Sequence, residues 1–278
     1  MCWNADYERQ RLRALGSAFH AMTPAAALDR AAELLICARR VLVITGAGVS
    51  ADSGLPTYRG IGGLYEDAAT EEGVPIEVAL SGQMLRQRPH LTWKYLLQIE
   101  AACRGAQPNA GHLALARMST HFRAFTVLTQ NVDGLHRQAG QPQLIEIHGN
   151  LHHLVCGECA HQWQVEDYDG LQAPPRCQDC HGPVRPQVVL FGEMLPAAAL
   201  QQLEAALDQG VDLVLSIGTS SGFPYIAGPV VQAARMGVPT VEINPGRTEV
   251  SAVVEVHVPE RAAVTLPQLL RRLEGSRP

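Results

Sequence analysis

The sequence has few aromatic residues, no excess of basic charge and no long apolar run. Aromatic side chains make up 5% of its 278 residues, and 22 Lys and Arg face 27 Asp and Glu, a net charge of −5. This charge gives no broad attraction to nucleic acid or anionic membranes. No apolar run approaches the length of a membrane span, so we predict no membrane partner. Apolar residues still make up 46% of the chain, which is enough for a sizeable core.

The sequence also lacks a secretory signal and an even cysteine count. The first ten residues, MCWNADYERQ, contain no basic segment followed by an apolar one, and the chain has seven cysteines. Both features argue against a disulfide framework, so we expect a cytoplasmic protein. Cys2, Cys37 and Cys103 stand alone in the sequence and are interpreted as small apolar residues.

Two common nucleotide-binding motifs are absent as well. The segment that begins at Gly46 reads GAGVSADSG, which is neither the G-x-G-x-x-G of dinucleotide-binding folds nor a P-loop with its lysine. An ordinary dehydrogenase or NTPase is therefore disfavoured. Gly46 and Gly48 would still let the backbone approach a pyrophosphate, although the same pair is common in tight turns.

Short apolar runs alternate with helix-like segments along the chain. Near-continuous apolar strands that alternate with helices are typical of a parallel sheet covered on both faces. We therefore predict an α/β fold with a doubly wound parallel sheet and a small inserted domain. The predicted strands span residues 41–45, 125–129, 144–147, 188–190, 211–217, 238–243 and 253–258.

The segment 151–186 interrupts this alternation because it is polar and contains the remaining four cysteines. We interpret it as a zinc-ribbon module, and the strand-free segment 61–108 as the helical and loop part of the same small domain. The nucleotide-binding domain is then discontinuous and consists of residues 24–60, 109–150 and 187–272.

Four cysteines form the strongest local motif. Cys156, Cys159, Cys177 and Cys180 make two C-x2-C pairs with seventeen residues between them, a spacing typical of a tetrahedral zinc site. Four thiolates leave no open coordination position, so we predict one structural Zn²⁺ that takes no part in chemistry. A redox dithiol and a coincidental spacing are the alternatives. The segment 151–182 has a single basic residue among five acidic ones, so we predict no direct nucleic-acid binding.

Five predicted strands end in small or hydrogen-bonding residues, and ligands bind at the carboxyl ends of strands in open parallel sheets. His148 would act there as a general base, since its pKa lies near the working pH, or only as a structural hydrogen-bond partner. Asn131 and Asp133 could bind a carboxamide or ribose, or simply form a turn. The residues at these ends are Gly46, Ala47, Gly48, Ser50, Gln130, Asn131, Asp133, His148, Gly218, Thr219, Ser220 and Asn244.

Taken together, these motifs resemble the sirtuins, the family of NAD-dependent protein lysine deacylases. The resemblance runs from about residue 41 to residue 266. It implies a Rossmann-like NAD-binding domain, a small zinc-binding domain, and a cleft in which NAD and an acyl-lysine protein or peptide meet. It rests on GAGVSADSGLPTYRG, TQNVDGLH, the IHG that contains His148, the two C-x2-C pairs, VLFGE, GTSS and the EIN that ends at Asn244.

The resemblance also implies roles for individual residues. His148 and Asn131 would be catalytic, with Tyr58 in place of the family's usual phenylalanine. NAD would contact Gly46, Ala47, Gly48, Ser50, Tyr58, Arg59, Gln130, Asn131, Asp133, Gly218, Thr219, Ser220, Asn244 and Ala262. The substrate backbone would pair by strand addition with the segment that contains Val188, Val189, Phe191, Gly192 and Glu193.

In the family's reaction, the acyl oxygen of the modified lysine attacks the nicotinamide ribose. The products are lysine, nicotinamide and O-acyl-ADP-ribose. Members that remove succinyl or malonyl groups carry a Tyr-x-x-Arg pair, whereas alignment on Trp93 places Leu96 and Ile99 at those positions. We therefore predict a preference for acetyl or longer uncharged acyl groups. The alternatives are ADP-ribosyl transfer or NAD hydrolysis at the same site, and an NAD-binding interaction protein without catalysis.

Two loops depart from the family's pattern. Pro224 comes one residue earlier than usual after GTSS, and the loop 60–77 is unusually acidic. Cofactor contacts of the loop 221–226 and of the loop 60–77 are therefore not assigned from the sequence. The target proteins and the oligomeric state are not assigned either.

Overall fold

The structure is a computed structural model that describes residues 22–56 and 70–276. Its strands are β1 (Arg40–Thr45), β2 (Ala124–Thr129), β3 (Leu144–Glu146), β4 (Gly149–Cys156), β5 (Gln162–Gln164), β6 (Val184–Val188), β7 (Leu213–Ile217), β8 (Thr240–Ile243) and β9 (Val256–Val258). Its helices are α1 (Pro24–Cys37), α2 (Ile76–Ala79), α3 (Gly82–Gln87), α4 (Pro89–Cys103), α5 (Ala110–Met118), α6 (Leu135–Gln138), α7 (Ala197–Asp208), α8 (Pro224–Arg235) and α9 (Ala262–Ser276).

Six strands form one parallel sheet in the order β3-β2-β1-β7-β8-β9. The chain proceeds from β1 outward to β3, and it later returns to β7 on the other side of β1. The strand order therefore reverses between β1 and β7, which is where open α/β sheets bind their ligands. This arrangement confirms the predicted doubly wound α/β sheet.

Alternate residues of each strand face two separate apolar layers. On one face, Val41 and Val43 pack with helices α1, α5 and α9. On the other face, Leu42 and Ile44 pack with helices α7 and α8. Both faces of the sheet are covered by helices, so the central residues of β1 are apolar on both sides. This explains the continuous apolar run in the sequence.

Three further strands form a small antiparallel sheet in the order β5-β4-β6. Its apolar face packs against helices α2 to α4, so that Trp93 and Leu96 of α4 share a third core cluster with Leu154 of β4. Among the residues that the structure describes, no helix combines the length and apolarity needed to span a bilayer.

The strand predicted at residues 188–190 was wrong in its position, because β6 ends at Val188. Beyond it the chain bonds to a different element: Phe191 N–H donates to Leu80 O (3.0 Å), and Gly82 N–H donates to Phe191 O (3.1 Å). The strand predicted at 253–258 is also shorter and begins at Val256.

Candidate active site

A cleft of about 810 Å³ lies between the carboxyl ends of the parallel strands and the small sheet. Most residues that the sequence singled out line it. From the strand ends these are Gly46, Ala47, Gly48, Gln130, Asn131, His148, Gly218, Thr219, Ser220 and Asn244, joined by Ala262 at the start of α9. From the side of the small sheet they are Leu96, Ile99, Val188, Val189, Phe191, Gly192 and Glu193. Tyr58 and Arg59 lie outside the described residues.

The loops that follow β1 and β7 pack backbone against backbone. Gly48 N–H donates to Gly218 O (2.8 Å), and a Cβ on Gly48 would lie 2.8 Å from Gly218 Cα. A Cβ on Gly218 would lie 2.6 Å from Val49 N, and Gly218 has φ +59°. The glycines at 48 and 218 are therefore required for contact between the two loops. Through this contact, main chain rather than side chains forms this part of the cleft.

Asn131 is fixed by a buried hydrogen-bond network. Its side-chain N–H groups donate to Gly46 O and to Ser50 Oγ, both at 3.1 Å, while Ser50 O–H donates to Asp133 Oδ2 (2.7 Å). Burial raises the pKa of the Asp133 carboxyl, although hydrogen bonds from Leu135 N–H and Ser50 oppose this. Ser50 and Asp133 are not among the described residues that line the cleft. They hold Asn131 from behind, so its orientation is set before any ligand binds.

Two amide side chains connect the loop after β7 to its neighbours. Gln130 Nε2–H donates to Thr219 Oγ1 (2.8 Å), and Asn244 Nδ2–H donates to Thr219 O (3.1 Å). Gln130 follows β2, whereas Asn244 follows β8. The ends of three strands therefore form one hydrogen-bonded rim.

His148 has a hydrogen-bond partner at each ring nitrogen. Nδ1 lies 3.0 Å from Gln130 O, and a carbonyl only accepts, so Nδ1 carries a proton. Nε2 lies 2.6 Å from Tyr225 Oη. Burial lowers the pKa of His148, with the bond to Gln130 O opposing it, and burial raises the pKa of Tyr225 to about 12. At neutral pH the tyrosine therefore donates to the free lone pair of a neutral imidazole, a form that is able to accept a proton.

Two aromatic residues beside His148 were not assigned from the sequence. Phe223 and Tyr225 stack with ring centroids 5.4 Å apart and an interplanar angle of 14°, and both rings meet His148 edge-on. Both line the cleft. The displaced Pro224 was the available signal, since it is the first residue of α8 and places an aromatic residue on each side of it.

The wall on the small-sheet side is mostly apolar, and its acidic residues are Glu77 and Glu193. Leu96 is 1% exposed and Ile99 is 7% exposed, and Leu80 and Leu190 line the same cleft. Leu80 was not assigned from the sequence either. The basic side chains among the described lining residues, Arg247 and Arg261, follow β8 and precede α9 instead.

Glu193 is held by hydrogen bonds within its own segment. Arg185 donates to both carboxylate oxygens (2.6 and 2.8 Å), and Leu190 N–H donates to Oε2 (2.9 Å). Burial by itself raises the pKa of the Glu193 carboxyl, but these bonds outweigh it and hold the pKa below its usual value. The carboxylate thus fixes the shape of the turn after β6.

The four paired cysteines form one cluster. Cys156 Sγ lies 3.4 Å from Cys180 Sγ, and Cys159 Sγ lies 3.7 Å from Cys177 Sγ, with all four sulfurs within 4.8 Å of one another. Zn–S bonds of about 2.3 Å in a tetrahedron place sulfurs about 3.8 Å apart. The cluster therefore fits Zn²⁺, which would connect the end of β4 to the turn before β6.

A sheet whose switch point opens into a cleft, beside a lobe with a closed four-thiolate site, defines a nucleotide-binding α/β enzyme with a structural metal. Comparison with known proteins agrees: the profile of the Sir2 family matches residues 46–223. The chain is 52% identical over 245 residues to NAD-dependent protein deacylase 2 of Pseudomonas aeruginosa. That match covers 87% of this chain and 95% of the relative.

Solved structures are similar over most of the chain. A Sir2 homologue in complex with NAD has a TM-score of 0.80 at 29% identity, covering 89% of this chain and 94% of that one. A Sir2 variant with a deacetylated p53 peptide and 3'-O-acetyl ADP-ribose has a TM-score of 0.77 at 26% identity, covering 90% and 98%.

The chain therefore belongs to the Sir2 family and is an NAD-dependent protein deacylase with a four-cysteine zinc site. This confirms the resemblance to the sirtuins and the predicted fold, a Rossmann-like sheet with a small zinc-binding domain. It also confirms NAD and zinc as the cofactors. The domain boundaries and the roles of individual residues stay predictions.

Proposed function

We propose that this deacylase removes acetyl and longer uncharged acyl groups from lysine side chains of proteins or peptides, forming nicotinamide and O-acyl-ADP-ribose. One observation supports the proposal above all. A single cleft joins hydrogen-bonding strand ends and a neutral histidine to an apolar wall formed by Leu96 and Ile99. The cofactor and the acyl group can therefore come into contact within one cleft, without solvent between them.

The residues at the switch point fit NAD. When bound, NAD supplies an electrophilic ribose carbon with nicotinamide as its leaving group. The main chain around Gly48 and Gly218 can lie against the pyrophosphate because no side chain intervenes. Asn131, whose amide is fixed by Gly46 O and Ser50, would orient the carboxamide, and Gln130 and Asn244 would bind sugar hydroxyls.

His148 would accept a proton at Nε2. Its Nδ1–H bond to Gln130 O fixes the ring orientation and stabilises the imidazolium that forms when the base is protonated. Since burial lowers its pKa, the ring is neutral and able to act as a base at neutral pH. General-base catalysis of this kind contributes about 10²- to 10⁴-fold to a rate.

The turn after β6 would bind the substrate backbone. Val189 N–H donates to His148 O (2.9 Å), so this segment and the base belong to one hydrogen-bonded unit. A peptide paired with this segment would place its acyl-lysine near His148 through main-chain bonds, which tolerates many peptide sequences. The deacetylated peptide in a Sir2 variant that is 26% identical to this chain supports a peptide substrate here.

Leu96 and Ile99 would contact the acyl group. A carboxylate against these buried side chains would lose its hydration without gaining a cationic partner among the described residues of this wall, which costs several kcal/mol. An acetyl or aliphatic acyl group loses no such hydration. We therefore expect succinyl-lysine to react at least about 100-fold more slowly than acetyl-lysine, measured as kcat/KM.

The test is a panel of one peptide carrying acetyl, butyryl, myristoyl, lipoyl or succinyl lysine, assayed with NAD. Lysine release and O-acyl-ADP-ribose are both quantified by mass spectrometry. We expect the two products in equal amounts for the uncharged groups and little turnover of the succinyl peptide. Equal kcat/KM for succinyl and acetyl peptides would contradict the acyl preference. Nicotinamide release without O-acyl-ADP-ribose would instead indicate NAD hydrolysis or ADP-ribosyl transfer.

A double variant tests the same two positions in the opposite direction. Leu96→Tyr with Ile99→Arg adds the pair that succinyl-removing sirtuins carry at these positions. The ratio of succinyl to acetyl kcat/KM should then rise by about 10-fold or more, since a hydrogen-bonded charge pair contributes about 1.5–3 kcal/mol. An unchanged ratio in a folded, NAD-binding variant would show that these two positions do not contact the acyl group.

A further inference from the structure

We propose that the hydroxyl group of Tyr225 is a second part of the general base, which passes a proton between a hydroxyl group bound in the cleft and Nε2 of His148. The inference rests on the proposed role of His148 as the base. Tyr225 would then be a catalytic residue within the segment 221–226, whose cofactor contacts were not assigned from the sequence.

The hydrogen bond itself is the first observation. Tyr225 Oη lies 2.6 Å from His148 Nε2, while His148 Nδ1 is committed to Gln130 O at 3.0 Å. An imidazole nitrogen has one lone pair, and here the tyrosine hydroxyl occupies it. A ligand hydroxyl can reach that lone pair only by displacing Tyr225 or by passing its proton through Tyr225.

The packing of the tyrosine ring favours transfer over displacement. Tyr225 stacks on Phe223 at 5.4 Å and meets the His148 ring edge-on at 5.8 Å, with an angle of 83°. It is also the second residue of α8, directly after Pro224, whose ring fixes the backbone there. Moving the hydroxyl away from Nε2 would break both ring contacts, whereas proton transfer through it requires no movement.

The proton balance is closed within the described residues and the bound ligand. The O–H bond of the ligand hydroxyl breaks, its electron pair stays on the ligand oxygen as the nucleophile for the acyl carbon, and its proton binds Tyr225 Oη. In concert the Tyr225 O–H bond breaks and that proton binds His148 Nε2. Tyr225 ends neutral, in keeping with a pKa of about 12, and His148 ends as an imidazolium that still donates to Gln130 O.

Tyr225→Phe tests the inference, because it keeps the ring and its stacking and removes only the hydroxyl. Tyr95→Phe is the matched control: it also removes a phenol hydroxyl that makes a side-chain hydrogen bond, to Glu72, and Tyr95 is not among the described cleft residues. A 3-fluorotyrosine at position 225 keeps the hydroxyl and serves as the conservative rescue.

Three readouts distinguish catalysis from structure. In ¹⁵N NMR of the cofactor-free protein, the His148 Nε2 resonance should move in Tyr225→Phe and stay in Tyr95→Phe. NAD affinity by calorimetry should change by less than about threefold in both. The single-turnover rate should fall about 10- to 100-fold in Tyr225→Phe alone, and its proton inventory in H2O and D2O mixtures should change from curved to linear. The fluorinated tyrosine should restore the rate and the curvature.

A Tyr225→Phe rate within about threefold of the native rate, or above it, would overturn the inference, since Tyr225 would then be a displaceable occupant of Nε2. An unmoved Nε2 resonance would also overturn it. His148→Ala separates this outcome from a failure of the proposed function. If His148→Ala retains turnover, His148 is not the base. If it is inactive while Tyr225→Phe is fully active, only the role of Tyr225 is refuted.

Discussion

Replacement of Glu193 by glutamine should weaken peptide use while leaving NAD binding intact. The carboxylate accepts one hydrogen bond from each terminal nitrogen of the Arg185 guanidinium and one from the main-chain N–H of Leu190. Arg185 also donates to Val188 O (2.7 Å), so the ion pair holds both ends of the turn that lines the cleft. Glutamine keeps the size and one acceptor but loses the charge.

The magnitude follows from the hydrogen bonds that are lost. A hydrogen bond to a charged group contributes about 1.5–3 kcal/mol, and such contributions do not add fully. The side chains of Arg185 and Glu193 are 25% and 20% exposed, so solvent screens part of the interaction. We therefore take the lower end, which corresponds to a fall of about 10-fold in kcat/KM for the acetyl peptide.

The assay is steady-state kinetics with peptide and NAD varied in turn. Glu255→Gln is the matched control, because Glu255 also binds an arginine, Arg30, but in a half-buried surface pair that is not among the described cleft residues. A pair near the surface contributes about 0–1 kcal/mol, and its loss should leave peptide kinetics unchanged because it lies outside the cleft.

Either of two results would contradict this role of Glu193. One is a Glu193→Gln enzyme whose peptide kcat/KM equals that of Glu255→Gln. The other is a loss that appears in the KM for NAD and not in the KM for peptide, which would place the turn after β6 on the cofactor side of the cleft.

Three further predictions concern the loops, the metal and the buried histidines. Gly218→Ala should weaken NAD binding by about 10-fold or more, because its Cβ would force the loops apart, whereas Gly237→Ala, with a similar positive φ but open space, should not. Equal NAD affinities by calorimetry would contradict this. Cys177→Ser should lower the zinc content below one per chain and lower the Tm; full zinc occupancy by atomic absorption would refute the four-thiolate site. Burial lowers the pKa of His112 to about 4 and that of His136 to about 3, so the unfolded chain binds protons first as pH falls below about 6.5. The free energy of unfolding, measured in urea, should therefore drop by about 2 kcal/mol for each histidine ring between about pH 7.5 and about pH 5. An unchanged urea midpoint would contradict the assignment of both rings as neutral in the folded protein.

The parallel sheet was predictable because its strands are buried on both faces and read as continuous apolar runs. The structure of the segment after β6 was not predictable in this way. Val189 and Leu190 are equally apolar, but their main-chain groups form hydrogen bonds outside the parallel sheet. There Phe191 pairs with Leu80, and the apolar side chains face the cleft instead of a second strand. Apolar composition alone does not distinguish the two situations.

The site was predictable where residues follow strands directly, because parallel strands bring their carboxyl ends together. The site was less predictable where residues differ in how far they lie behind the surface of the cleft. Ser50 and Asp133 are adjacent in sequence to cleft residues but lie behind Asn131, a position that only the packed structure defines. Tyr225 was not assigned because its contact with His148 depends on where α8 begins relative to His148, 77 residues earlier in the chain.

The most direct test of the account is His148→Ala, assayed for NAD binding and for acetyl-lysine turnover in the same preparation. The account predicts unchanged NAD affinity, within about threefold, because the switch-point loops remain intact. It predicts a loss of about 100-fold or more in O-acetyl-ADP-ribose formation, because the variant removes Nε2 of His148, the proposed proton acceptor. Turnover within about fivefold of the native enzyme would contradict the assignment of His148 as the base.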